Sequence, residues 1–156
     1  MRVLHGEVEM SPSPVLRRVD AVTVPVPDLD QGLAFYRDGL GHDLIWRNDE
    51  IGQAGLRLPD GETEIVLSQH LPYAPSWLVS SVSDAVADVV AAGGAIEVEP
   101  HAIPVGRLAV VADPFGNSLV LLDLSAGRYA VDDAGRVTGV EELPPTRGNG
   151  AAQAPA

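Results

Sequence analysis

The feature that most constrains this chain is an order of elements that occurs twice. In the first half, "DAVTVPV" (20–26) is a β-branched extended segment that ends at Asp28. Asp28 is placed to cap a helix, with Gln31 three residues on to complete a capping box. Leu29, Leu33, Tyr36 and Leu40 then recur at helical spacing, closed by Gly39 or Gly41. Three strand-like pieces follow, "HDLIWR", "GQAGLRL" and "TEIVLSQ". The second half begins with "SWLVSSV", takes Asp84 as its cap and puts Val86, Val89 and Val90 inward on a helix stopped by Gly93-Gly94. "AIEVE", "GRLAVVAD" and "NSLVLLDL" complete it. Each half reads strand, helix, three strands, and a shift of 56 residues lays Val26 on Val82, Asp28 on Asp84 and Leu33 on Val89.

A duplicated βαβββ order argues against an alternating parallel α/β sheet and for an α+β class built of two modules, 19–70 and 75–125. The domain spans 19–125. Residues 1–18 read as a flexible leader, 126–142 as a C-terminal hairpin turning at Asp132 to Gly135, and the proline-bearing 143–156 as a disordered tail. A chain of 156 residues suits one such domain. Its ten basic residues are all arginine, and its net charge of −12 argues against nucleic acid or an anionic membrane as partner. Without cysteine there is neither a disulfide nor a thiolate metal site. No apolar stretch approaches the ~20 residues of a membrane span, and no signal-peptide core is evident. A cytoplasmic protein is the expectation.

Two βαβββ halves, with "VPDLDQGLAFYRDGLG" opening the first and "DPFGNSLVLLDL" closing the second, resemble the vicinal oxygen chelate superfamily. That grouping holds glyoxalase I, the extradiol dioxygenases and the bleomycin-resistance proteins. The resemblance implies that the modules form curved, cup-like mixed sheets with helices outside, and that metal ligands stand on the first and last strand of each half. Carried over residue by residue, those positions fall on Ala21, Val66, Trp77 and Val120. None offers the imidazole or carboxylate that a divalent metal requires, so the expectation is no metal and no cofactor.

The cup-lining candidates are Ala21, Thr23, Val66 and Val120, together with Glu64, Ser68 and His70 on the same strand parity as Val66. Trp77, with its face-mates Val79 and Ser81, is expected either to floor a ligand site or to plug the space a metal would take. Glu64 and His70 offer a metal or acid–base pair, against an ordinary polar strand end. Arg107 is set to pair with an anion or to lie exposed on its strand. No G-x-S-x-G or phosphate-binding glycine loop is present.

The resemblance thus implies a metal-free small-molecule binder of the bleomycin-resistance type, for drug binding or sequestration, working as a homodimer. Its alternatives are a metal-dependent lyase, isomerase or dioxygenase of the same superfamily, or a metal-free enzyme using the same cup.

Overall fold

In the computed structural model, which describes residues 13–143, the first half forms β1 (Arg18–Pro25), α1 (Leu29–Leu33), β2 (Leu44–Asn48), β3 (Gln53–Arg57) and β4 (Glu64–Ser68). The second forms β5 (Ala74–Leu78), α2 (Val82–Ala91), β6 (Ala95–Ile103), β7 (Gly106–Ala112) and β8 (Ser118–Asp123). One curved, open 8-stranded mixed sheet results, ordered β2-β3-β4-β1-β5-β8-β7-β6. β1 runs parallel to β4, and β5 parallel to β8. The modules meet where β1 and β5 pair antiparallel. The architecture is the α+β arrangement of two βαβββ modules that the repeat implies. β9 (Arg128–Val131) and β10 (Val137–Glu141) form a separate 2-stranded sheet, turning where the Gly135 N–H donates to the Asp132 carbonyl.

Both helices lie on one face of the sheet, over two apolar clusters. Leu29 and Leu33 pack on Ala54, Leu56 and Leu67. Val82, Ala85 and Val86 pack on Ala109, Val111 and Leu121. Of the segment read as a leader, residues 13–18 are described: Val15 and Leu16 pack against the second cluster, the Arg17 N–H donates to the Leu78 carbonyl, and Arg18 opens β1. The rest of that segment, and the tail after residue 143, lie outside the described residues.

α1 begins as its sequence predicts. Asp28 Oδ1 accepts from the Gln31 N–H at 2.9 Å, but the Gln31 side-chain amide donates to Asp28 Oδ2 rather than reaching back to a backbone N–H. From Ala34 to Gly39 the helix widens to π geometry, and the Leu40 N–H reaches the Phe35 carbonyl. The wider turn spoils the helical phase, and Leu40, expected inward, is 54% exposed. In the second half the cap is Ser81, whose Oγ accepts from the Asp84 N–H; Asp84 stands in the first turn instead of capping. Val90 accordingly points to solvent, and Val82 and Ala85 take the inward positions.

The cap error has a larger consequence. Anchored on Asp28 and Ser81 instead of Asp84, the match of β5 to β1 moves by three residues, an odd number that exchanges the two faces of β5. Trp77 and Val79 then correspond to Val24 and Val26, which face the helix. The structure places them so: Trp77 pairs with Leu121, and both Trp77 and Val79 pack in the α2 cluster. They do not enter the cup.

At the far end of β8, Asp123 joins three elements. It is 4% exposed, and its carboxylate accepts from the Val82 N–H at the start of α2 (2.8 Å), the Arg107 N–H on β7, and the N–H and hydroxyl of Ser125. Burial acts to raise its pKa, but these bonds outweigh it and hold the carboxyl below its ordinary value.

Two outcomes follow from this packing. Trp77→Ala should cost about 3 kcal/mol of stability, the low end for a large aromatic because Trp77 is only partly buried, measured by chemical denaturation. For Asp123 the sign runs the other way with acid: its depressed pKa adds stability above the unfolded value near 3.8 that is lost as pH falls through the folded value. Asp123→Asn should therefore unfold more easily at neutral pH and show a flatter acid limb in its denaturation curves.

Candidate functional site

The concave face, opposite the helices, is fixed by the register of the central strands. Reading across it, Arg57, Glu64, Ala21, Ser76, Val120 and Val110 stand side by side on β3, β4, β1, β5, β8 and β7. A second row runs Trp46, Gly55, Val66, Thr23 and Ala74. The first row includes one residue from the first and last strand of each module: Ala21, Glu64, Ser76 and Val120. Of the four residues read from the sequence, Ala21 and Val120 stand in this row, Val66 stands on the same face in the second row, and Trp77 points to the opposite face. The donor set of the first row does not fit the divalent metal that the resemblance implies. One carboxylate and one hydroxyl face a methyl and an isopropyl group, and among the described residues no three His, Cys, Asp or Glu side chains converge.

A β-bulge lies between Val19 and Ala21, so Asp20 is the extra residue in β1. The local twist of a bulge re-aims a side chain. Here the Asp20 carboxylate joins Glu64 in lining a cavity of about 190 Å³, with Ile45, Trp46, Val66, Val105, Leu124, Arg128, Tyr129 and Val131. The last three belong to β9, which roofs the first-module half of the cup.

Three contacts hold that roof in place. The Tyr129 ring lies 4.6 Å from that of Trp46 between centroids, tilted by 46°. The Arg47 N–H on β2 donates to the Gly135 carbonyl at 2.8 Å. Arg136 pairs with Asp49 at 2.7 Å. Trp46 can lie flat against the sheet because Gly55 stands opposite: a β-carbon there would overlap the indole nitrogen. That nitrogen donates to Glu64 Oε1 at 3.0 Å.

Both carboxylates are pushed up from their ordinary pKa values. For Glu64 burial is the main cause; the Asp20 charge adds to it, while the Trp46 hydrogen bond and the charges of Arg128 and Arg57 oppose it. For Asp20 burial again leads, offset by Arg18 and Arg128. A site with two buried carboxyl groups of raised pKa, a flanking arginine and an aromatic wall can hold a ligand that donates hydrogen bonds, and its acids can exchange protons.

The other candidates lie elsewhere. Ser68 is fully buried on the concave parity, but its Oγ accepts from the His70 and Leu71 N–H groups and closes the turn after β4. His70 is exposed in that turn, beside Gly52. Ser81 caps α2. Arg107 shares the face of Ala109 and Leu121, away from the cup, with its side chain exposed. Asp20, Trp46, Arg128 and Tyr129 were not singled out as cavity residues by the sequence. A lone acid inside a β-branched strand was the available signal for Asp20, and the scarcity of aromatics was the signal for Trp46.

The family model described as the Glyoxalase/Bleomycin resistance protein/Dioxygenase superfamily matches residues 18–121. Among solved structures, a methylmalonyl-CoA epimerase from Mycobacterium tuberculosis is similar at 20% identity, covering 73% of this chain and 92% of that one, with a TM-score of 0.57. The Streptomyces coelicolor methylmalonyl-CoA epimerase, solved with 2-nitronate-propionyl-CoA, is 22% identical over 71% of this chain and 99% of that one, with a TM-score of 0.56. At such identities the likeness concerns the fold. No curated protein matches the chain.

The raised pKa of Glu64 predicts a specific pH response. A carboxyl whose folded pKa exceeds the unfolded value near 4.5 loses stability as pH rises from that value through the folded one. Glu64→Gln keeps an acceptor for Trp46 and should remove this loss, making the variant more stable than the parent at neutral pH. In a Trp77→Phe background, Trp46 fluorescence should titrate above pH 4.5 in the parent and stay flat in Glu64→Gln.

Proposed function

Since the chain belongs to the glyoxalase/bleomycin resistance protein/dioxygenase superfamily, we propose that it is a metal-free binder of a small organic molecule, held in the roofed half of its cup. One observation carries this reading: the cavity under β9 joins an aromatic wall, Trp46 and Tyr129, to two desolvated carboxyl groups, Asp20 and Glu64. Mostly apolar lining with a few polar groups is the usual make-up of a small-molecule site. The cavity is smaller than the ~300 Å³ at which drug-sized pockets begin. Its ligand is therefore a small metabolite or the inserted end of a larger molecule; drug sequestration requires the hairpin to lift. The carboxyl groups favour a ligand with donor groups, a cation included.

A second reading has its own support. Two carboxyl groups with raised pKa facing one cavity are equipped to take and return a proton, which is the chemistry of a metal-free isomerase. Turnover, absent in a pure binder, separates the two.

The homodimer belongs to the same proposal. The unroofed half of the concave face presents Leu108, Val110 and Val120 half-buried, with Val98 on the edge strand 43% exposed. A second copy covering that half would bury it. Among the described residues no helix is long and apolar enough to cross a membrane, and the acidic charge disfavours nucleic acid. A cytoplasmic location is proposed with it.

Native mass spectrometry of gently purified protein tests the whole reading. The expected spectrum shows a dimer carrying a small organic mass that is lost from Glu64→Gln or Tyr129→Ala. A bare monomer, or a stoichiometric divalent metal surviving dialysis, would overturn it.

A further inference from the structure

Beside the roofed cavity, and sharing Arg128 and Leu124 with it, lies an open cleft of about 530 Å³. Arg17, Arg18 and Arg128 line it together with the apolar Leu78, Leu124 and Leu143 and with Ser80 and Ser125. Three of the chain's ten arginines gather here in a protein of net charge −12. Against such a background, a cluster of one sign marks a local field that the surrounding surface does not share. We propose that this cleft binds the anionic end, a carboxylate or phosphate monoester on a short apolar chain, of the ligand whose other end enters the cup. The assignment deepens the small-molecule reading and rests on it.

The charges around the cleft leave room for such an anion. Arg18 is paired with Glu62 at 3.2 Å, an exposed carboxylate. Arg17 donates only a long bond, 3.5 Å, to the Pro14 carbonyl. Among the described residues, neither Arg17 nor Arg128 has a carboxylate within salt-bridge distance; Arg128 instead faces Asp20 and Glu64 across the cavity wall. Guanidinium groups bind carboxylate and phosphate through paired N–H donors, and the Ser80 hydroxyl adds a further donor. The apolar part of the lining selects for an anion that carries carbon. Arg128 stands between the two spaces, so one molecule can present an anion to it from the cleft while a donor group reaches Glu64.

The test is calorimetric titration of the full chain at low ionic strength with inorganic phosphate, butyl phosphate and butyrate. Saturable binding is expected for the two organic anions. Each methylene placed against the apolar lining strengthens affinity roughly threefold to fourfold over the bare ion, and added salt weakens it. Whichever of butyl phosphate and butyrate binds more tightly identifies the head group. Arg17→Gln and Arg128→Gln should each weaken binding about tenfold, an effect typical of losing one charge-assisted contact, while Arg17→Lys retains most of it. Arg17 touches no cavity carboxylate, so its variant reads the cleft even if Arg128→Gln disturbs the fold. Glu64→Gln should lose the retained organic mass yet still bind the anion probes, which separates failure of the cup reading from failure of this one. Absence of saturable binding by all three probes, or unchanged affinity in both Gln variants, would overturn the assignment.

Discussion

The structure depends on the antiparallel seam between β1 and β5, the place where two modules become one sheet. Each of these strands also runs parallel to the last strand of its own module. A residue at the seam therefore has neighbours from both modules on one face, and Ala21 meets Glu64 on one side and Ser76 on the other. Because side chains alternate along a strand, this register decides at once which residues face the helices and which face the cup. The bulge at Asp20 is the local exception, and it supplies the cavity's second carboxylate.

The two halves of the cup then diverge in chemistry. The first is roofed by the C-terminal hairpin, whose Tyr129 lies on Trp46, and its acids pay for that cover with desolvation. The second is apolar and partly open. A symmetrical repeat of elements has thus become an asymmetrical site, through sequence added after the repeat ends. The same hairpin brings Arg128 to the border of the cavity and the arginine-lined cleft, linking acid and base in one continuous surface.

Much of the fold is legible because its signals are local. Asp28 and Gln31 mark the start of α1, and Gly93, at φ +110°, ends α2 where a side chain would be strained. "DPFGNSLVLLDL" is a turn built on Asp113, whose carboxylate accepts from the Phe115 and Asn117 N–H groups, followed by a strand with Leu121 in the helix-side core and Val120 on the concave face. The site was less legible for a simple geometric reason. Ser81 and Asp84 both look like caps, they stand three residues apart, and choosing the wrong one turns Trp77 from the core into the cup. No neighbouring residue corrects that choice, since a tryptophan suits either face.

The sequence by itself determined the element order, its duplication, the acidic surface and the departure of Ala21 and Val120 from metal-donor chemistry, because each is a property of residue type or short-range spacing. Tertiary structure decided which side chains share a space. Glu64 became a buried acid only when Trp46 crossed Gly55 to reach it, and Asp20 joined it only through a bulge. Tyr129 and Arg128 came from a hairpin some sixty residues beyond Glu64. Contacts of that range depend on sheet register and chain return, and neither has a local signature in the residues that make them.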